Sequence, residues 1–451
     1  MIFIWYNPNN FNSYKYYHYL TLFIGGSIMT RTKIITTVVA LILVSVAVIA
    51  GFMYKDMIFS NPVKAEEMAI DTNATSESVS TLVHYMNMFS FDMYNQLNSE
   101  QKDNHFFSPY SIFVALSMTY EGAKNETAED MQNVLQFPQN NDTMLCSFGK
   151  LYNIYNFHKN YTLETANALW TQYDFSFLDS YLNFIENYYM GKATEVDFGQ
   201  VEQTAEQINK WIEEKTHDKI KDMLSANDID PLTKMILTNA IYFKGDWLYQ
   251  FNPDNTVEKD FYVTDEQTVS VPMMHLDEED VTFNYTETDE LQLIELPYDG
   301  NNVSMVILLP KENNISTVEA NLNWNKFSTW TEAFQKKQVK IILPKFKLET
   351  EYDLGNHLIE MGMEKPFTPS ADFSGMDGRK DLFIGKVLHN GFVQVDEIGT
   401  EAAAATTVHM KLTSIPPSDE LVFNADHPFL FFIRHKQTEN ILFMGKVTNP
   451  E

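Results

Sequence analysis

From Thr400 to Leu412 every second residue is uncharged: Thr400, Ala402, Ala404, Thr406, Val408, Met410 and Leu412. The charged or titratable side chains among them, Glu401, His409 and Lys411, all fall on the opposite parity. Successive strand residues point to opposite faces, so this is the pattern of a strand with one small, buriable face. The chemistry on offer is that of the backbone, a ladder of N–H and C=O groups behind side chains that fit a packed sheet. The same run of small residues ends near Pro416–Pro417, where an exposed loop is expected. A segment that is a loop in one state and a strand in another stores a conformational change. On periodicity alone an Ala-rich helix fits as well, since Ala is the best helix former.

Side chains arranged for covalent catalysis are missing from the sequence. It has no Gly-x-Ser-x-Gly elbow, no His-Glu-x-x-His motif and no P-loop. Cys146 is the only cysteine, which excludes a disulfide framework and a multi-cysteine zinc site. Its setting, DTMLCSFGK, reads as a buried thiol in a helix. Neither enzyme activity nor a cofactor or metal is expected.

The elements that must hold the 400–412 segment follow from periodicity. Helices are predicted over Thr81–Leu97, Tyr110–Tyr120, Ala128–Leu135, Leu178–Tyr189 and Thr204–Thr216. Strands are predicted at Thr165–Thr171, Val303–Leu309, Val339–Leu343, Phe392–Val395 and Leu430–Ile433. Lys234–Phe243 (KMILTNAIYF) is nearly all apolar, as in a strand covered on both faces. Helices concentrate early and strands late, which gives an α+β protein built on antiparallel sheets.

Several blocks, in this order and spacing, closely resemble the serpins, the serine protease inhibitor family. Asn104–Phe137 is similar to the family's first strand–helix block. Ile208–Phe251 and Leu293–Pro310 are similar to its middle, and Phe423–Pro450 to its C-terminal signature. Glu397–Thr406 reads EIGTEAAAAT, similar to the family hinge Glu-x-Gly-Thr-Glu-Ala-Ala-x-Ala-Thr. The resemblance spans about Thr81 to the C-terminus. It implies about eight or nine helices around three mostly antiparallel β-sheets with an exposed reactive loop, an α+β serpin fold.

It also implies a suicide-substrate mechanism. A protease would attack loop 397–417 and form an acyl-enzyme; the cleaved loop would insert into the central sheet and trap the protease covalently. The target implied is a serine endopeptidase, with a cysteine protease as alternative. The hinge would be Glu397, Gly399, Thr400, Glu401, Ala402, Ala403, Ala404, Ala405 and Thr406. Gly399 would let the chain turn without a Cβ clash. Ser108, Pro109, Ser111, Asn239 and His389 match the positions where the sheet opens, although His389 alone reads as a satisfied core histidine. Trp247 and Lys345 match the upper end of the sheet. Lys345 would pair with Glu397, an exposed contact worth about 0–1 kcal/mol. The family spacing from Glu397 lands on Thr413–Ser414 as the reactive bond, with Leu412–Thr413 one step away and Lys411–Leu412 two. Ile398 departs from the pattern, where a polar residue is usual.

The N-terminus is organised differently. Ile34–Met53 is an uncharged run of 20 residues after Arg31 and Lys33, long enough to cross a bilayer core of about 30 Å. It is expected to be a transmembrane anchor or a cleaved signal peptide, placing the bulk of the chain outside the cell, secreted or anchored. Residues 1–33 form an N-terminal segment, and a start at Met29 would give a compact basic leader. Residues 54–80 read as a polar tether, and 81–451 as the serpin domain. A net charge of −29 argues against nucleic acid. The 44% hydrophobic content is that of a globular chain, and a monomer is expected. Seven Asn-x-Ser/Thr triplets (Asn73, Asn125, Asn141, Asn160, Asn284, Asn302, Asn314) permit glycosylation. Two other readings remain open: a non-inhibitory serpin acting as carrier, chaperone or storage protein, and a membrane-anchored binding module.

Overall fold

The computed structural model describes residues 68–100, 103–136, 142–230, 232–278, 280–400 and 421–451. It also describes two short strands, Phe23–Ile24 and Ser27–Ile28, which pair with each other. The compact unit is Met68–Glu451. Residues 34–53, the hinge positions Glu401 to Thr406 and the reactive-bond positions Leu412, Thr413 and Ser414 lie outside the described residues. Among the described residues no helix is long and apolar enough to cross a membrane.

Three sheets of six, seven and four strands organise the unit. The six-stranded central sheet contains β1 (Tyr161–Gln172), β2 (Lys192–Val196), β3 (Met235–Asp246), β4 (Phe346–Asp353), β5 (Lys386–Val395) and β6 (Gly399–Thr400). Their spatial order is β4-β5-β6-β3-β1-β2. The strand β3 is the sequence-apolar run, and its alternation serves two cores. Met235, Leu237, Ile241 and Phe243 face the main core, while Ile236 and Ala240 face a second cluster. Helix α1 (Pro109–Tyr120) lies on the main-core side, buried nearly all round, as an apolar helix must be. Helix α2 (Val201–Lys215) covers the other side with Ile208 and Ile212, against Trp170 and Leu388.

The seven-stranded sheet is antiparallel throughout and places Phe429–His435 and Asn440–Val447 between Val303–Pro310 and His105–Phe107. Every residue of these two C-terminal strands is buried. The four-stranded sheet begins with Val422–Asn424, the first strand after the 401–420 segment.

Sequence periodicity placed five helices and six strands, but not their ends. Ten α-helices occur among the described residues, where about eight or nine were expected. Four of them have six residues or fewer, too short to show a periodic face. The helix predicted over Leu178–Tyr189 is an α-helix to Phe184 and then a π-turn to Tyr189, closed by left-handed Met190.

The tether prediction also needs correcting at its end. Helix Ser76–Glu100 starts within it, and Ala69 is 4% exposed. Ala69 exchanges two backbone bonds of 2.9 Å with the amide of Asn153, and Ile70 N–H donates to the Asn187 carbonyl. The partners are distant in sequence, so composition could not reveal them.

A candidate site at the opening of the central sheet

The strands β3 and β5 run parallel and pair directly only over Ile236–Ala240 and Lys386–Asn390. Above Asn390 they separate, and among the described residues no ladder links Gly391–Gln394 to Ile241–Lys244. At the top, β6 fills the gap antiparallel to both neighbours. Thr400 sits opposite Val395 and Gly245, and Gly399 opposite Asp246. The central sheet is thus closed below, filled by two residues above and open between.

Gly399 is required here by closeness, not by a turn. It is absent from the residues with positive φ. A Cβ on it would lie 2.1 Å from the Gly245 carbonyl oxygen. Thr400 is 1% exposed, and its Oγ1 lies 2.6 Å from the Tyr298 hydroxyl. Tyr298 in turn stacks on Trp247, with ring centroids 4.5 Å apart. Burial drives the Tyr298 phenol up, so it stays neutral.

The base of the loop is tied down by backbone bonds. Trp247 N–H donates to the Ile398 carbonyl at 2.7 Å, and Phe251 N–H to the Glu397 carbonyl at 2.9 Å. Trp247 Nε1–H donates to the Asp396 carbonyl at 3.0 Å. Lys345 Nζ donates to Glu397 Oε2 at 2.8 Å, and Thr256 Oγ1 to Glu397 Oε1 at 2.7 Å. The pair is less exposed than expected, because only 11% of the Glu397 side chain is accessible. Burial opposes the charge on Glu397, but the bonds from Lys345 and Thr256 outweigh it and hold the carboxyl below its usual range.

The closed lower part is held by a buried polar network. Ser108 caps α1, with Pro109 at its first turn, and its Oγ accepts from Ser111 N–H at 3.1 Å. Ser108 N–H donates to His389 Nε2 at 3.0 Å. Nε2 is therefore the acceptor, and the ring proton sits on Nδ1, which donates to Asn239 Oδ1 at 2.5 Å. The Asn239 amide donates to Ser111 Oγ and to Asn167 Oδ1, and Ser111 Oγ donates to Asn167 Oδ1 as well. His389 is fully buried, and burial pushes its pKa down to about 3. The imidazole is neutral, as a donor–acceptor bridge between α1 and β3 requires.

The sequence-predicted residues therefore form two groups. Ser108, Pro109, Ser111, Asn239 and His389 meet where β3 and β5 still touch; Trp247, Lys345, Glu397, Gly399 and Thr400 meet at the upper end, around β6. Sequence reading missed Asn167, Tyr298 and Thr256. A polar Asn within the predicted strand Thr165–Thr171 was a usable signal. Nothing local in the sequence links Tyr298 to Thr400.

The comparisons with known proteins agree with this geometry. The family model for serpins (serine protease inhibitors) matches residues 84–450. An uncharacterized serpin-like protein of Methanosarcina acetivorans is 40% identical over 431 residues, covering 94% of this chain and 99% of its own length. The leukocyte elastase inhibitor of Xenopus laevis is 39% identical over 372 residues, covering 80% and 97%. Among solved structures, Serpin48 of the insect Tenebrio molitor matches with a TM-score of 0.75 and 32% identity, over 82% of this chain and 98% of that one. With Gly399 and Thr400 paired between two strands of a split central sheet and a family match across most of its length, the chain belongs to the serpin family.

Proposed function

We propose that this chain inhibits proteases as a suicide substrate, with loop 397–417 as bait and the central sheet as the trap. The observation that carries the reading is β6. Gly399 and Thr400 lie antiparallel to both β3 and β5, in the orientation that a whole inserted strand must have.

The register extends this reading. Each step along the loop moves one residue back on both neighbours. Ala402 would then face Val393 and Phe243, Ala404 would face Gly391 and Ile241, and Thr406 would arrive between His389 and Asn239. Those two are now bonded directly and are Cα partners. Insertion must part them, and the Thr406 hydroxyl, donor and acceptor at once, can bridge the gap. Small residues at 402 and 404 enter beside Phe243 and against Gly391, where a Cβ would already meet Phe106 at 2.8 Å.

The energetics favour one direction. About a dozen residues gaining ladder bonds at roughly 1 kcal/mol net each give on the order of ten kcal/mol. The five parallel pairs between β3 and β5 are exchanged for two antiparallel ladders. The uninserted state is then held kinetically.

Thr413–Ser414 is the proposed reactive bond, with Leu412–Thr413 as its neighbour. These suit a subtilisin- or elastase-like and a chymotrypsin-like serine endopeptidase respectively. The proposed site of action is outside the cell, where 34–53 either anchors the chain or has been removed. The overall fold does not separate inhibitory from non-inhibitory members; the small, uncharged parity of 400–406 favours the inhibitory reading, because non-inhibitory members commonly carry charged or bulky residues there.

The test mixes the protein with subtilisin, elastase, chymotrypsin and trypsin, followed by a denaturing gel and mass spectrometry of the released peptide. A covalent band with a peptide beginning at Ser414 supports inhibition at the proposed bond. Cleavage by all four without a covalent band, and without a rise in Tm of the cleaved form, refutes insertion.

A further inference from the structure

The chain offers seven Asn-x-Ser/Thr triplets, and the fold treats them differently. The transfer they permit joins the asparagine amide nitrogen to a sugar, and the motif requires the hydroxyl two residues on. An acceptor in the folded protein must therefore expose both groups, with neither committed to a protein partner. Asn141 lies outside the described residues, which leaves six to compare.

Four of them have a bonded amide. Asn125 donates to Asp372 and Asn160 to Asp299, each at 2.7 Å. Asn284 donates to the buried Glu295, and Asn302 to the Gly300 carbonyl at 3.0 Å. Two of these four also bury the hydroxyl completely. Thr127 accepts from Asp372 N–H, and Ser304 donates to Glu295, both at 2.8 Å. Asn73 is exposed, but Thr75 Oγ1 is occupied by Ser78 N–H at 3.0 Å, at the start of helix Ser76–Glu100.

Asn314 differs from the other five. It ends the short link between strand Val303–Pro310 and helix Ile315–Glu319, and both Asn314 and Ser316 are exposed. Among the described residues neither side chain makes a hydrogen bond. The neighbouring Asn313 donates to the Tyr262 carbonyl at 3.0 Å, which holds the link against the body while Asn314 stays accessible.

We propose that Asn314 is an N-glycan acceptor that takes an oligosaccharide from a lipid diphosphate donor. The amide nitrogen attacks the anomeric carbon of the first sugar and forms a C–N bond. The bond from that carbon to the phosphate oxygen breaks, its electron pair leaves with the lipid diphosphate, and the nitrogen gives up one proton. A glycan on Asn314 forfeits no hydrogen bond of the fold. At Asn284 it would have to fit beside the buried Glu295. In the cell the modification rests on the outside location proposed above; the capacity of the folded chain to accept a glycan does not.

The experiment incubates the folded full chain, in detergent, with a single-subunit oligosaccharyltransferase and a lipid diphosphate oligosaccharide, and maps the product by peptide mass spectrometry. A synthetic peptide of residues 310–319 is treated alongside. Transfer to Asn314 should be at least about tenfold faster than to any of the other five, because a bonded amide or hydroxyl must first open. Asn314→Gln and Ser316→Ala should each abolish it without changing the Tm, and Ser316→Thr should retain it. An unmodified Asn314, whether or not the peptide is modified, would overturn the proposal. So would equal transfer to Asn125, Asn160, Asn284 or Asn302, or a glycan that persists on Ser316→Ala. Because this assay needs no export, its failure is distinct from failure of the outside location or of protease inhibition.

Discussion

Replacing Thr400 by arginine tests the insertion reading where the structure is most specific. Thr400 is 1% exposed, bonded to Tyr298 and lying below the Tyr298–Trp247 stack. A buried, unpaired charge there costs at least about 3 kcal/mol. The intact protein can avoid this by withdrawing Gly399 and Thr400 from the gap. Withdrawal forfeits a few ladder bonds and the Tyr298 contact, about 2–3 kcal/mol at roughly 1 kcal/mol each. Thr400→Arg should therefore fold. After cleavage the loop cannot enter without burying the arginine, and a barrier raised by about 3–4 kcal/mol slows insertion by about 10²–10³-fold. Deacylation then wins and the protein becomes a substrate. The assay is the ratio of covalent complex to cleaved product on a denaturing gel, with the Tm of the cleaved form alongside. Thr400→Val, which loses only the hydroxyl, should keep most of the covalent band. An unchanged ratio for Thr400→Arg in a folded protein would show that the loop does not enter through this face.

Three further outcomes are expected. Gly399→Ala should expel the hinge, because its Cβ would overlap the Gly245 carbonyl at 2.1 Å; amide exchange over 396–400 should rise several-fold while the rest of the sheet is unchanged. Asn167→Ala leaves Ser111 and Asn239 short of an acceptor and should cost about 1–3 kcal/mol, seen as a lower Tm. His389 has a folded-state pKa of about 3, below its unfolded value. Its contribution is therefore present above about pH 6.5 and is lost as pH falls towards 3, by up to roughly 5 kcal/mol. His435, held at about 4 by burial, acts in the same direction. The Tm of the native protein should thus fall between pH 7 and 5 more steeply than that of His389→Gln, and parallel curves would refute the assignment of the neutral imidazole.

Much of the site was legible in the sequence because it rests on side-chain parity and on local motifs. The apolar run in β3 survives translation into geometry; of the alternation at 400–412 only Thr400 lies within the described residues. What could not be read were contacts made by the backbone with distant partners. Gly399 invited a turn explanation, yet its role depends on the Gly245 carbonyl. The Lys345–Glu397 pair was expected at the surface, yet Thr256 and the Trp247–Phe251 segment enclose its Glu397 end. Residues 68–75 looked like solvated tether, yet the Asn153 amide, the Asn187 carbonyl and Lys150 bind them to the body.

The place of the last two strands has a consequence for the order in which the molecule is made. His105–Phe107 joins the seven-stranded sheet only through Asn440–Val447, and Ser108 Oγ donates to the Leu442 carbonyl at 2.7 Å. Asn87 likewise binds Ile441 N–H. The N-terminal helices thus lean on strands that come more than 300 residues later in the chain. The 401–420 segment emerges before them, when the gap between β3 and β5 already has both edges. If the loop inserts as proposed, docking of the Phe429–Val447 hairpin and premature entry of the loop are rivals in time, and long-range pairings of this kind form slowly. On the insertion reading, translation sets the starting order of that race, and a chain keeps its gap open only where the Phe429–Val447 hairpin docks first.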